Sequence, residues 1–291
     1  MTPEKEILLR EAYLLTVELR LYWFVAILYL SGFLIGIFYF LTAKKGLGRA
    51  LTSLLWCTAI IHTLLIVLRT VEGWRPPFQT LYETLSWFAW SATIAYLFVQ
   101  SRFRDIHLPG LFISLISAGA CLYALLTRNP QIIPIPPALQ SPWYEWHVIV
   151  AFAAYAVFVV SFSLEAVNFL YGRRDSIRAE DFGMPDSQIE RYSYRLILMG
   201  FPMLTFAIFS GAAWANDAWG RYWSWDPKET WSLITWTVYA MYLHTKAIPR
   251  WRDNLAPYIN ILGFICMVMT FLGVNWLSKL LNIPSMHTYA V

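Results

Sequence analysis

Long apolar runs separated by short polar ones dominate this chain of 291 residues. A helix that crosses a membrane needs about 20 mostly apolar residues. Eight stretches qualify, at roughly 21–41, 50–69, 81–100, 108–127, 146–171, 194–214, 229–247 and 256–278. No stretch alternates apolar and polar positions with period two, which argues against a transmembrane barrel. The pattern predicts an all-α, polytopic integral membrane protein with about eight transmembrane helices.

Residues 1–20 follow a different pattern. Leu8, Ala12, Leu15 and Leu19 recur at helical spacing opposite Glu4, Glu11 and Glu18. That predicts an interfacial amphipathic helix starting at Thr2 and Pro3, and the segment lacks the cleavage site of a secretory signal. Residues 21–291 read as a single transmembrane domain. Within it, Asn129–Pro142 carries Pro130, Pro134, Pro136, Pro137 and Pro142, which predicts a stiff extended segment. Gly32 and Gly36 form a small-xxx-small pair suited to close helix packing.

Composition agrees with a membrane protein, with 58% hydrophobic and 14% charged residues. The larger share of the 22 lysines and arginines lies in the alternate loops holding Lys44, Arg102, Arg173 and Lys246. Basic residues favour the cytoplasmic side, so both termini are expected outside the cytoplasm. The net charge of +4 gives no reason to expect a nucleic-acid partner. Cys57, Cys121 and Cys266 fall within predicted helices as small core residues. Without a CxxCH segment, the chain carries no covalently attached haem of its own.

One segment departs from the apolar background. Trp214–Trp231 reads WANDAWGRYWSWDPKETW, with five tryptophans among charged residues. It predicts an external tryptophan-rich loop over 214–229. Trp219, Trp223 and Trp225 offer broad aromatic faces, and Gly220 allows close backbone approach. Such a surface suits a large flat ligand with apolar and anionic edges. Arg221 and Lys228 are candidate contacts for propionates, as are Arg69 and Arg75, although ion pairing with Glu72 and Glu83 explains the latter two equally well. Asp226 is placed to orient a donor, and with Pro227 it also reads as a helix start.

Five histidines complete the inventory. His147 and His287 are expected at the outer face, on either side of the aromatic loop, where two neutral imidazoles can bind one haem iron. His62 and His244 lie inside apolar helices, where ionisable groups are functional candidates. By helical rise, His62 is ~18 Å and His244 ~5 Å from the cytoplasmic ends of their helices. That offset argues against a shared iron. It points to His244 as ligand of a second, transmembrane haem whose other ligand comes from another polypeptide, with His62 a weaker candidate. His107, beside Asp105, is expected to be solvated.

Taken together, these residues resemble a known family. Trp219–Glu229, WGRYWSWDPKE, is similar to the WGxxWxWDxxE signature of haem-handling proteins of cytochrome c maturation. The DPKE continuation, PPFQTLYE at 76–83 and the terminal MHTYA resemble the CcsA/ResC branch, known as system II. The resemblance implies cytochrome c biogenesis: delivery of haem b, as substrate and transported ligand, to the outer membrane face. There haem would be joined to CxxCH thiols of apocytochrome c. It implies a CcsB/ResB partner, together with which the chain would form a cytochrome c synthase (haem lyase), and a thiol reductant of the CcsX/ResA type. It further implies that His147 and His287 ligate the external haem and that His244 ligates the transmembrane haem opposite a CcsB histidine. The membrane would be the bacterial inner membrane or the thylakoid. The family tail usually reads HSY, whereas this chain has His287, Thr288 and Tyr289. The alternative is a b-type cytochrome subunit passing electrons to quinone, with His62 and His244 as haem ligands.

Overall fold

A computed structural model describes residues 3–102, 106–171, 186–252 and 254–281. His287, Asp105, Arg173, Arg174 and Arg178 lie outside the described residues. The described chain is helical: α1 (Pro3–Thr42), α2 (Lys45–Gly73), α3 (Leu81–Arg102), α4 (Pro109–Thr127), α5 (Pro142–Tyr171), α6 (Asp186–Trp219), α7 (Pro227–Ala247), the short α8 (Pro249–Arg252), α9 (Ala256–Val268) and α10 (Val274–Leu281). A π-helical turn, Met269–Gly273, joins α9 to α10. Among the described residues, six segments are long and apolar enough to cross a membrane: Ala12–Thr42, Lys45–Gly73, Pro109–Thr127, Pro142–Leu170, Gln188–Trp219 and Ala256–Leu277. The helices α3 and α7 have the length, with 22 and 21 residues, but dilute their apolar content with hydroxyl and charged side chains.

The helices pack as two groups. In the first, α1 packs on α2 and α4, and α3 on α2 and α4; in the second, α5 packs on α6 and α9, and α7 on α6 and α9. Contacts of α5 with α3 and α4 join the groups. The glycine pair in α1 does what its spacing predicts. A Cβ at Gly32 would fall 2.8 Å from Ser114 Oγ, and one at Gly36 would fall 3.0 Å from the Leu111 backbone, so α1 and α4 touch almost backbone to backbone. Large apolar residues such as Leu34, Phe38, Ile60, Leu64 and Phe209 lie exposed on the outside, as a lipid-facing surface requires.

Three segments meet at one end of the bundle. The Arg69 guanidinium donates to Pro130 O at 2.7 Å, Gln79 Nε2 to Pro134 O at 2.9 Å, and Trp214 Nε1 to Ala138 O at 2.7 Å. The proline-rich stretch is therefore extended, as expected, apart from one 3-10 turn at Pro137–Leu139. It runs as a strap whose free carbonyls are taken up by side chains of α2, the 74–80 segment and α6.

Several expectations change. Residues 3–20 are helical and continue without a break into the first span, since α1 runs for 40 residues with no proline or glycine to stop it near residue 20. Glu18 turns inward, where Arg69 compensates its charge at 2.9 Å. The tryptophan-rich loop is shorter than 214–229: α6 continues through Trp219 and α7 begins at Pro227, leaving 220–226 as loop. His107 is buried rather than solvated, with Nδ1 2.7 Å from Thr52 Oγ1, because residues 106–108 ahead of α4 lie against Tyr96, whose hydroxyl donates to Ile106 O and His107 O.

Candidate ligand cavity

A cleft of roughly 1200 Å³, open mouth included, lies at the end where these segments meet. Its walls are mainly apolar, with Phe78, Leu81, Phe152, Leu204 and Phe271 among them, and His147, Trp214, Tyr222, Trp223 and Lys228 add chemistry to the lining.

His147 is held firmly. Its Nδ1 lies 2.7 Å from Ala207 O. A carbonyl only accepts, so Nδ1 carries the proton and Nε2 the lone pair, the state required of an iron ligand. The imidazole stacks on Trp214 with ring centroids 6.0 Å apart and planes at 22°. Gly211 of α6 makes room for it, since a Cβ there would stand 2.7 Å from Nδ1. Trp214 is pinned in turn by the strap through Ala138 O, and Tyr144, which lies against Trp214, donates to Phe78 O at 2.6 Å.

The aromatic loop is shaped by two left-handed residues, Gly220 at φ 73° and Trp225 at φ 59°. No described residue lies within 4 Å of a Cβ placed at Gly220, so within the described chain the glycine serves the backbone conformation. Asp226 accepts from Lys228 N at 2.9 Å, while Glu229 accepts from Asp226 N at 3.1 Å and Ser224 N at 2.8 Å. This capping box, with Pro227 in the first turn, starts α7 and fixes the loop. Of the loop residues singled out in the sequence, Trp223 and Lys228 line the cavity, while Trp219, Gly220, Arg221, Trp225 and Asp226 are not part of its lining. Trp223 packs edge-on against Trp225, and Trp219 against Trp214. Trp225 and Tyr222 are exposed at 67% and 63%. Lys228 is half-buried, and burial lowers the pKa of its ammonium, opposed by the attraction of Asp226.

Arg69 and Arg75 sit elsewhere. Arg69 bonds Glu18 at 2.9 Å and Glu83 at 3.1 Å, and Arg75 grips both oxygens of Glu83 at 3.0 Å. All of these side chains are buried. The arrangement is a structural ion-pair network tying α1, α2 and α3 beside the strap.

His62 is fully buried, with Tyr29 OH 3.1 Å from Nδ1 and Ser86 Oγ 2.9 Å from Nε2, so hydroxyls occupy both ring nitrogens. His244 is exposed in the last turn of α7, at the other end of the bundle, with Nδ1 bonded to Ala240 O at 2.8 Å. The two histidines belong to different helix groups. Composition gave no pointer to Tyr222, Gly211 or Asn275 of the cavity wall, nor to the π turn that places Thr270 and Phe271 there.

Comparison with known proteins gives a consistent picture. The profile of the family described as Cytochrome C assembly protein matches residues 78–282. The chain is 35% identical over 238 residues to "Cytochrome c biogenesis protein CcsA" of Chlamydomonas reinhardtii, covering 79% of this chain and 66% of that protein. It is 33% identical to the protein of that name from Guillardia theta, over 84% of this chain and 85% of the relative. The match to the Prochlorococcus marinus (strain NATL1A) protein is 34% over 77% and 79%. Among solved structures, "Cytochrome c Heme Lyase CcmF" shares the fold with a TM-score of 0.66 at 15% identity, over 90% of this chain. This chain spans about half the length of that protein, 47%.

Proposed function

The chain belongs to the cytochrome c assembly protein family, on its CcsA side, and from that premise we propose that it presents haem b in this cavity for covalent attachment to apocytochrome c. His147 supplies one axial ligand and His287 the other. Trp214, Trp223 and Tyr222 supply aromatic contact to the porphyrin, and Trp219, Gly220, Trp225 and Asp226 hold the loop that carries it.

The observation that supports this reading is the tautomer of His147: a ligand histidine donates its other N–H to a carbonyl, which fixes the ring and raises its basicity. In the reaction each CxxCH thiol adds across one haem vinyl group. Sulfur bonds one vinyl carbon and the thiol hydrogen ends on the other, so no electrons are released. Thiolate is the nucleophile, so the thiols must arrive reduced, which gives a reductant of the CcsX/ResA type its place. No side chain need act as a covalent nucleophile; the protein contributes position and exclusion of water. His244 binds a second haem with an imidazole from a CcsB/ResB-type partner, consistent with its exposure at the opposite end. That end faces the cytoplasm, and the cavity the periplasm or lumen.

The test is co-expression with a CcsB-type protein and a reporter apocytochrome c. His147→Ala and His287→Ala should each abolish covalent haem on the reporter, with partial restoration by added imidazole. Normal reporter maturation in both variants refutes the site.

A further inference from the structure

Two polar groups in the cavity wall have no part in holding iron. The Lys228 ammonium projects from the first turn of α7 without a hydrogen bond or direct ion pair among the described residues, and Lys228 lines the cavity. Asn275 Nδ2 is shielded from solvent and has no hydrogen-bond partner among the described residues, and Asn275 lines the same cavity. Buried donors are ordinarily satisfied, so an unpaired one in a cavity wall marks a place for an acceptor.

The backbone brings these groups to the wall by specific means. Lys228 is placed by the capping box of Asp226 and Glu229. Asn275 follows the π turn Met269–Gly273, whose extra residue per turn rotates the end of the last span. Such turns occur frequently at functional sites. The Asp226 carboxylate attracts the Lys228 ammonium but accepts its hydrogen bond from the Lys228 backbone N–H, and Glu229 and Glu83 are engaged elsewhere. Glu229 accepts from the backbone of Ser224 and Asp226, and Glu83 is shared by Arg69 and Arg75. The surrounding wall, Phe78, Leu81, Phe152 and Phe271, is apolar. A cation and an unpaired N–H donor in the wall of one mainly apolar cavity are complementary to an anionic acceptor on an apolar body.

We propose that Lys228 and Asn275 form a carboxylate-binding corner that orients the ligand of this cavity. The ligand identity rests on the haem reading above. Haem carries both propionates on one edge, so anchoring that edge at the start of α7 and the π turn directs the vinyl edge away from them. The corner is then a specificity device: it accepts a porphyrin acid, rejects its ester, and selects one of the orientations a nearly symmetric ring can take.

Iron-free protoporphyrin and its dimethyl ester test this without depending on axial ligation. With the full chain in detergent, wild type should bind the acid about tenfold more tightly than the ester, the effect of a charge-assisted hydrogen bond. Lys228→Met and Asn275→Leu should each remove most of that preference while leaving ester binding unchanged, and Lys228→Arg should retain it. Equal affinity of wild type for acid and ester, or no binding of either, overturns the corner. So do variants that weaken both probes alike, as misfolding would. The haem reading fails separately, if His147→Ala leaves the spectrum of bound haem unchanged.

Discussion

Gly211 shows how tightly the candidate ligand is positioned. The His147 ring lies so close to α6 that a methyl group on residue 211 would stand 2.7 Å from Nδ1. Gly211→Ala must therefore displace the imidazole or break its bond to Ala207 O. Loss of such an outer partner typically weakens metal binding by about 10- to 100-fold. Haem titration should show that drop in Gly211→Ala with an unchanged melting temperature, and an unaltered affinity would mean the ring has freedom the geometry denies. Glu83 tests a different residue-scale feature. It neutralises Arg69 and Arg75 in a buried network, so Glu83→Gln leaves guanidinium charge uncompensated and should cost about 3–5 kcal/mol, read as a lower unfolding midpoint in detergent. His147 was singled out in the sequence by its predicted place at the outer end of its helix, level with the tryptophan-rich segment, and it lines the cavity. Gly211 was not, since a glycine in an apolar helix looks like ordinary packing until the ring opposite is seen. Arg69 and Arg75 had two readings in the sequence, and only the positions of Glu18 and Glu83 show how fully both guanidinium groups are occupied.

Whole elements were easier to anticipate than their ends. All long helices follow from runs of apolar residues, because hydrocarbon demands internally satisfied backbone along the entire span. The ends escape that rule. The tryptophan-rich loop was expected from residue 214, yet α6 continues to Trp219, since water at the membrane face tolerates a polar helix turn. Glu18 likewise suggested a wet surface, but a partner on α2 makes it part of the interior. The π turn has no signature at all: MTFLG is as apolar as its surroundings. By contrast the start of α7 was readable from DPKE, and the structure forms the capping box in full. Replacing the cap, Asp226→Ala, should cost about 1 kcal/mol. The expected readout is faster proteolysis within 220–226 while the rest of the chain stays protected; an unchanged cleavage pattern would show that the loop is held by other contacts.

At the scale of the molecule, the arrangement of ends carries the functional reading. The 74–80 segment, the strap and the 220–226 loop share one end with the cavity, joined by Gln79 to Pro134 O and Trp214 to Ala138 O. Lys45, at the start of α2, and His244, in the last turn of α7, lie at the other. Which end faces the cytoplasm follows from the distribution of Lys and Arg, an argument from charge alone, and it decides whether the cavity meets an exported apocytochrome. Gln140 on the strap and Lys45 at the opposite end are both exposed, so each accepts a reporter thiol without disturbing packing. In a chain with its native cysteines replaced, Gln140→Cys should react with a membrane-impermeant maleimide in intact cells, and Lys45→Cys only after the membrane is opened. The reverse pattern would put the cavity on the cytoplasmic side, where exported apocytochrome thiols do not reach it, and the haem-attachment reading would fall with it.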